Sequence, residues 1–187
     1  MNTVHKTRKK PLKPVETYSG KMLQPEDYQD VEINTEDYAS VLLRFDNGNK
    51  GVITVSQVSG GRKNKLSLEI AGSNRTFAWT SELPNELWIG ERDRANQVLM
   101  RDPSLFHPEA ADLVSYPGGH NEGFPDTSKQ LFKEVYAAIR EGRQPEKPLF
   151  PTFKDGLREL ELNEAILRSA REETWISTAT AYRKSNR

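Results

Sequence analysis

A glycine-rich loop with the sequence SYPGGHNEGFPDTSKQLF, at residues 115–132, carries a histidine and a carboxylate, His120 and Glu122. Its first and last glycines, Gly118 and Gly123, are separated by four residues, which is the spacing of a Walker A phosphate loop. The two residues after Gly123 are phenylalanine and proline, where that motif needs lysine and then serine or threonine. A phosphate-binding loop is therefore excluded.

Three side chains in this loop, His120, Glu122 and Asp126, belong to types that bind metal ions. They lie at i, i+2 and i+6, a spacing with no recognised ligand geometry, so no metal is expected. Substrate binding suits the loop better, because glycines let the backbone approach a ligand and histidine hydrogen-bonds hydroxyl groups near neutral pH. The remaining interpretation is a plain turn, in which Asp126 or Thr127 only caps the following helix.

A second polar group surrounds the turn at Gly60–Gly61 and consists of Gln57, Ser59, Arg62 and Asn64. Gln57 and Ser59 alternate along one strand face, and arginine is suited to binding carboxylates or phosphates. The same residue types are also typical of a solvated hairpin end. Both interpretations, a binding group and a plain turn, stay open.

Strands with alternating apolar residues must position both groups. In DYASVLLRF, every second residue from Ala39 to Phe45 faces the same way, and Asn47-Gly48 then predicts a hairpin turn. The segments KGVITVSQVS, NKLSLEIAG, RTFAWT, NELWIG and NQVLM continue the pattern. The pattern predicts a meander of five or six antiparallel strands. Near the N-terminus, the basic segment TVHKTR is interpreted as an edge strand, and a polar connection then runs to Glu36.

Two helices are predicted after residue 120. The pattern TSKQ at residues 127–130 predicts a capping box, an apolar stripe follows, and Gly142 is a terminator. A second helix begins near Thr152 to Asp155, and Trp175-Ile176 is a candidate last strand. The expected fold class is α+β, a large, mainly antiparallel β-sheet with helices packed on one face. The other sheet face lacks a cover, so a homo-oligomer through that face is expected.

Composition narrows the class of protein. The 187 residues contain 27 lysines and arginines and 27 aspartates and glutamates, so neither nucleic acid nor an acidic membrane is an expected partner. The absence of cysteine excludes disulfides, thiolate metal sites and a cysteine nucleophile. No apolar run approaches the roughly 20 residues of a membrane span, and no signal-peptide core is present. A cytoplasmic protein is expected.

Four segments follow one another in a familiar order: EDYASVLLRFDNGNKGVITVSQVSGGRKNKLSLEIAGSNRTFAW, NELWIG, YPGGHNEGFPDTSKQLFKEVYAAI and PTFKDGLRELELNEAILRSAREETWI. From about Val4 to Ile176, the chain resembles the C-terminal domain of the Gfo/Idh/MocA family, the NAD(P)-dependent oxidoreductases of sugars, inositols and related polyols. The resemblance implies a dihydrodipicolinate-reductase-like domain at residues 37–178. Residues 1–36 would be an edge strand and connection of the same domain, and residues 179–187 a tail.

The resemblance also implies what lies elsewhere in such enzymes. The family's catalytic unit begins with a Rossmann domain, followed by a Glu-Lys-Pro strand end and an Asp-x-x-x-His stretch, and none of these has a counterpart here. The Glu-Lys-Pro at residues 146–148 lies in a polar loop between the two predicted helices. A substrate-binding and oligomerisation domain without its nucleotide-binding domain is therefore expected, from a truncated chain, a split gene or a fragmentary reading frame that begins at an internal methionine. This chain would bind no cofactor itself, the full-length family would use NAD or NADP, and in the case of a split gene a Rossmann domain would act in trans.

By position, the resemblance places Gln57, Arg62, Asn64, His120 and Glu122 toward the substrate pocket. None of them is the family's acid–base group, so they would bind and orient the hydroxyl groups of a sugar or polyol, and no catalytic residue is expected in this chain. The alternative is a non-catalytic, stand-alone module for binding or dimerisation.

Overall fold

A computed structural model of the chain describes residues 1–14 and 24–178; residues 15–23, within the expected connection, and the expected tail at 179–187 lie outside the described part. The strands are β1 (Thr7–Pro11), β2 (Tyr28–Glu32), β3 (Tyr38–Arg44), β4 (Lys50–Ser56), β5 (Ser67–Ala71), β6 (Arg75–Thr80), β7 (Glu86–Glu91) and β8 (Gln97–Met100). The helices are α1 (Pro108–Ala111), α2 (Phe124–Glu141) and α3 (Phe153–Glu172). The chain forms two compact units, the first from residues 1–61 with the chain from residue 160 onward, the second from Arg62–Glu159.

The expected α+β class with antiparallel strands is confirmed, and the strands described here fall into three separate sheets. The first unit contains the pairs β1-β2 and β3-β4, and the second contains β5-β6-β7-β8 in sequential order. Between β4 and β5, Gly61 and Asn64 both adopt positive φ angles, of 82° and 57°. The chain turns at these positions, and β5 pairs with β6 instead of with β4.

The strand β2 lies where the polar composition predicts only a connection. It pairs with β1 so that Thr7 lies opposite Glu32 and Lys9 opposite Asp30, with the Lys9 ammonium 2.7 Å from the Asp30 carboxylate. Opposite charges across a strand pair stabilise it by about 0.2–1 kcal/mol each. The strand β2 therefore forms through backbone pairing with β1, with this one surface ion pair as a small addition, and without the apolar alternation by which strands are predicted. The edge strand itself begins at Thr7, later than the segment TVHKTR suggests.

The N-terminal segment of the first unit is attached through Asp37, a carboxylate that is only 3% exposed. Its two oxygens accept the backbone N–H groups of Val4, at 2.7 Å, and His5, at 3.0 Å, and the Arg8 guanidinium lies 3.5 Å away. These backbone hydrogen bonds, with a smaller contribution from Arg8, hold the pKa of the Asp37 carboxyl below its ordinary value, although burial opposes the shift.

We predict that the attachment of the N-terminal segment is sensitive to acid. Because the folded pKa of Asp37 is lowered, its stabilisation is present above the ordinary pKa of 3.8 and is lost as the pH falls through the folded value. In Asp37→Asn, the amide nitrogen faces an N–H donor, so we expect faster hydrogen exchange of residues 2–8 at neutral pH. The difference from the unmodified chain should shrink on acidification.

Hydrogen exchange followed across a pH series measures this effect. Asp30→Asn is the matched control, because the Asp30 carboxylate is exposed and its ion pair with Lys9 lies on the surface, where such pairs contribute little. A difference between Asp37→Asn and the unmodified chain that stays constant with pH would contradict the prediction.

In the second unit, the β5–β8 sheet has one apolar face. The register puts Leu68 opposite Trp79, Ile70 opposite Phe77, and Phe77 opposite Ile89. Ile89, at the centre of this face, is 9% exposed, whereas Leu68 and Ile70 on the edge strand β5 are each 56% exposed. We call Leu66, Leu68 and Ile70 the β5 strip. Within the part of the chain that the structure describes, it is a largely exposed apolar row on the edge strand of this sheet.

The helix α2 begins at Phe124, one turn before the TSKQ pattern, so the predicted start was wrong. Pro125 occupies the first turn, where a missing N–H does no harm, and the Asp126 carboxylate accepts the N–H of Gly123 at 2.9 Å. These two residues provide the start signal that the sequence interpretation assigned to the next turn. The predicted end is confirmed, since Gly142 follows the helix with φ 68°.

The start of α3 agrees with the prediction. The Asp155 carboxylate accepts both the N–H and the hydroxyl of Thr152, at 2.7 Å each. These bonds hold the pKa of the Asp155 carboxyl below its ordinary value. After the helix, Trp175 and Ile176 lie in irregular structure, so the expected last strand is not formed. Instead, the guanidinium of Arg44 lies over the side chain of Trp175, with the Arg44 Cζ 3.9 Å from the ring centroid.

Candidate functional site

The loop at residues 115–123 connects the segment after β8 to the start of α2, and we call it the His120 loop. The chain leaves β8, passes through a short 3-10 turn at Pro103–Leu105 and the single turn α1, and then reverses direction. Gly119 makes the reversal with φ 81°, a conformation that residues with a Cβ rarely adopt. The loop is therefore a defined turn that leads directly into α2.

A single arginine beneath the loop holds it. The side chain of Arg101 is only 11% exposed, and each of its three guanidinium nitrogens donates to an oxygen of the protein. Nε donates to the side-chain oxygen of Asn85 at 2.7 Å. Nη1 donates to the carbonyl of Tyr116 at 2.9 Å and lies 3.0 Å from the carboxylate of Glu122. Nη2 donates to the carbonyls of Pro117, at 3.3 Å, and His120. The cation is thus fully engaged inside the protein.

Asn85 joins the arginine to the end of the loop. Its side-chain oxygen accepts both Arg101 Nε and the backbone N–H of Glu122 at 3.1 Å, and its amide nitrogen donates to the Glu122 carbonyl at 3.0 Å. The backbone N–H of Arg101 donates to the Asn85 carbonyl at 2.8 Å, which extends the pairing of β7 with β8 by one position. The network is anchored directly in the sheet.

The Glu122 carboxylate closes the loop on itself. One oxygen accepts the backbone N–H of Ser115 at 2.7 Å, and the other contacts Arg101. The Ser115 hydroxyl in turn accepts a hydrogen bond from the Gln130 amide of α2 at 2.9 Å. The first residue of the loop is therefore tied both to its far end and to the helix that follows.

Two carboxylates next to the Arg101 network, those of Asp102 and Asp126, also have partners. Hydrogen bonds from the hydroxyl and the N–H of Ser104 hold the pKa of the Asp102 carboxyl below its ordinary value. Gly118 passes close to this carboxylate, since a Cβ added there would lie 3.5 Å from its carbon. Lys129 pairs with Asp126 at 3.6 Å, and its ammonium also lies 4.9 Å from the Tyr116 ring centroid.

The structure places the five sequence-predicted site residues in different surroundings. His120 and Glu122 belong to the Arg101 network, but only the His120 side chain is exposed. Arg62 pairs with Glu82 in the β6–β7 connection at 2.6 Å, and Asn64 is the left-handed residue before β5. Gln57, in the first unit, accepts weak hydrogen bonds from the Arg8 guanidinium at 3.4 Å.

Sequence reasoning missed the two residues on which the loop depends, Arg101 and Asn85. A signal for them existed: if NELWIG and NQVLM form a hairpin, position 85 falls opposite position 101, and two polar residues meet at the end of a strand pair. What the sequence could not supply was the return of the chain, after two short helical turns, over that strand end.

What the arrangement can do chemically follows from these contacts. An exposed imidazole is held on a loop of fixed shape and can donate or accept a hydrogen bond to a hydroxyl group. Within residues 1–14 and 24–178, no group of three or more histidine, aspartate or glutamate side chains is placed to hold a metal ion. No helix in that same part of the chain is long and apolar enough to cross a bilayer.

Comparison with known proteins gives consistent matches. The chain is 26% identical to levoglucosan dehydrogenase of Pseudarthrobacter phenanthrenivorans over 149 residues, which cover 77% of this chain and 36% of that protein. Among solved structures, it is similar to an oxidoreductase from Sinorhizobium meliloti, with 31% identity, a TM-score of 0.71, and coverage of 78% of this chain and 42% of that one. An inositol dehydrogenase homolog from Azotobacter vinelandii, solved with NADH and myo-inositol, matches at 24% identity and TM-score 0.62 over 73% of this chain and 38% of that one.

The chain thus spans about two fifths of the length of these relatives. The family model for the C-terminal alpha/beta domain of this oxidoreductase family matches residues 4–178, nearly the whole chain. The resemblance carried by the sequence segments is confirmed by this match and by the fold. The chain therefore belongs to the Gfo/Idh/MocA oxidoreductases, as their C-terminal α/β domain.

Proposed function

We propose that this chain supplies the substrate-binding and subunit-pairing domain of an NAD(P)-dependent oxidoreductase of a sugar or polyol. The observation that carries the proposal is the exposed His120 imidazole on a loop that the Arg101 network holds in one shape. The relatives support the substrate class, since one is named for levoglucosan and another was solved with NADH and myo-inositol. Both of these molecules are uncharged and rich in oxygen groups that form hydrogen bonds.

The family implies a nicotinamide cofactor, and the described residues do not fit one. All described strand pairs are antiparallel, without the strand–helix–strand crossover that forms a dinucleotide cradle. We therefore assign no nucleotide contact to these residues. Their role in the proposed reaction is to bind and orient the substrate.

Substrate orientation by this chain follows from hydrogen bonding. His120 is placed to contact one hydroxyl, and a loop that is already ordered loses little conformational freedom when the substrate binds. Arg62 and Asn64, which are exposed in the same unit as His120, are proposed as further hydroxyl-binding groups, and the binding role of Gln57, an exposed residue of the first unit, stays a separate prediction. The ion pair of Arg62 with Glu82 lies on the surface, where such pairs contribute at most about 1 kcal/mol, so a ligand can replace it.

Levoglucosan and myo-inositol, titrated separately into the chain, are expected to shift the imidazole signals of His120 in a saturable way. Long-range proton–nitrogen correlation spectra report each of the three histidines separately. His107 is the matched control, since it is an exposed histidine of the same unit and should not respond. His120→Ala should abolish the response to the ligand, whereas His107→Ala should leave it intact. Equal shifts at all three histidines, or none at His120, would contradict the proposal.

The second candidate is a non-catalytic binding or dimerisation module. The exposed β5 strip favours it, because apolar rows at a free sheet edge mark association surfaces. The two candidates differ in their ligands: a module that only dimerises self-associates without any response of His120 to polyols.

A further inference from the structure

We infer that Arg101 is a positioning residue for the proposed site: it fixes the shape of the His120 loop and so presents His120, without contacting the substrate itself. The inference rests on the proposed function for the identity of the ligand. The claim about the loop rests on the contacts of Arg101 alone and is testable separately.

An arginine side chain carries its five N–H groups on three nitrogens, and each of these nitrogens in Arg101 donates to an oxygen of the second unit. The Glu122 carboxylate, 3.0 Å from Nη1, adds an ion pair. The guanidinium is thus occupied by contacts within the protein. An arginine in a sugar site is readily taken for an anion-binding group, but this one is committed to the protein.

The Arg101 guanidinium holds the part of the His120 loop that contains its glycine pair. Three of its acceptors are backbone carbonyls, those of Tyr116, Pro117 and His120, and they flank the two glycines at Gly118–Gly119. Glycines are the residues with the greatest conformational freedom, so this stretch has the least intrinsic preference for one shape. Without the cation, three carbonyl oxygens would converge with no donor between them. Arg101 therefore decides the conformation of the segment that carries His120.

The shape of the guanidinium makes arginine necessary at position 101. A planar guanidinium presents its donors as a rigid fork along three directions, whereas a lysine ammonium offers three donors at a single point. A lysine at position 101 can satisfy part of this set but cannot reach the Asn85 oxygen and the Tyr116–His120 carbonyls together. We therefore expect lysine to be a poor substitute, although it keeps the charge.

A spectroscopic signature in the unmodified chain tests the inference without any substitution. Because all three of its nitrogens are engaged, the Arg101 guanidinium should rotate slowly about its Cζ–Nη bonds and give separate, slowly exchanging Nη proton signals at low temperature. Arg94, an exposed arginine of the same unit, should give averaged signals. Averaged signals for Arg101 would overturn the inference.

Substitution tests the link to His120. In Arg101→Met we expect hydrogen exchange of the amides in residues 115–123 to rise about tenfold or more, whereas exchange in β5–β6 stays unchanged. Arg101→Lys should recover little of the protection, and Arg94→Met should lose none. In both Arg101 variants the polyol-induced shift of His120 should be lost although His120 is intact.

The outcomes separate the two proposals. Full loop protection and a normal His120 shift in Arg101→Met would overturn the positioning role. If the unmodified chain shows no polyol shift, the proposed function fails while the exchange comparison still decides the role of Arg101. Should Arg101→Met unfold the second unit, exchange in β5–β6 rises as well, and the Nη signals of the unmodified chain then decide.

Discussion

Replacing Leu68 by glutamate is expected to convert an oligomer of this chain into a monomer. Leu68 is the middle residue of the β5 strip and is more than half exposed on a free sheet edge. Burying one leucine side chain contributes about 1.5–3 kcal/mol, and a carboxylate without a partner resists burial far more strongly. A symmetric interface contains the substitution twice, so we expect the dimer dissociation constant to rise by at least about a hundredfold.

Light scattering over a concentration series measures this change. Val98→Glu is the matched control: Val98 is 55% exposed in the same sheet, but it lies opposite Trp88 and therefore on the other face. This variant should associate like the unmodified chain. If the unmodified chain is monomeric at high concentration, or if both variants lose the same amount of association, the interface is not at the β5 strip.

Replacing Glu122 by alanine is expected to lower the free energy of unfolding of the second unit by about 3 kcal/mol. Removing one partner of a buried ion pair costs about 3–5 kcal/mol, because the other charge is left without compensation. The side chains of Glu122 and Arg101 are each 11% exposed, which places the effect near the lower end. The Ser115 N–H also loses its acceptor.

Chemical denaturation of three variants separates charge from shape at this position. Glu122→Gln should lose less than Glu122→Ala, since an amide oxygen can still accept one of the two hydrogen bonds. The double variant Glu122→Ala with Arg101→Met should lose less than the sum of the single effects, because the second substitution removes the uncompensated charge. Additive losses, or a Glu122→Ala effect within about 0.5 kcal/mol of zero, would show that the pair does not act as a unit.

The strands of the second unit were predicted from the sequence, because apolar residues alternate along them and short polar segments separate them. The strand β2 was not predicted, because its residues lack apolar alternation and it forms through backbone pairing with β1. The division into three sheets was not predicted either. Turn residues do not decide it, since β3 and β4 pair across Gly48, whereas β4 and β5 do not pair across Gly61, although both glycines have positive φ.

For the candidate site, the sequence predicted the loop and its exposed histidine but assigned Glu122 to substrate binding. That substrate role stays a prediction, and the structure adds an internal one, since both carboxylate oxygens are already engaged. Arg101 and Asn85 were missed because neither lies in a motif. Their importance arises from a long-range contact, between a strand end and a loop fifteen or more residues later, that no local pattern records.

Of the five oxygen atoms around the Arg101 guanidinium, three belong to the main chain and two to side chains. Every amino acid supplies the same carbonyl, so the exposed side chains at His120 and Asn121 are open to exchange without loss of the carbonyl contacts that shape the loop. Mutational tolerance should therefore be high at these exposed positions and low at Arg101. The loop can therefore keep its shape while its exposed side chains, and with them its ligand specificity, change. This makes it a suitable starting point for engineering new ligand preferences.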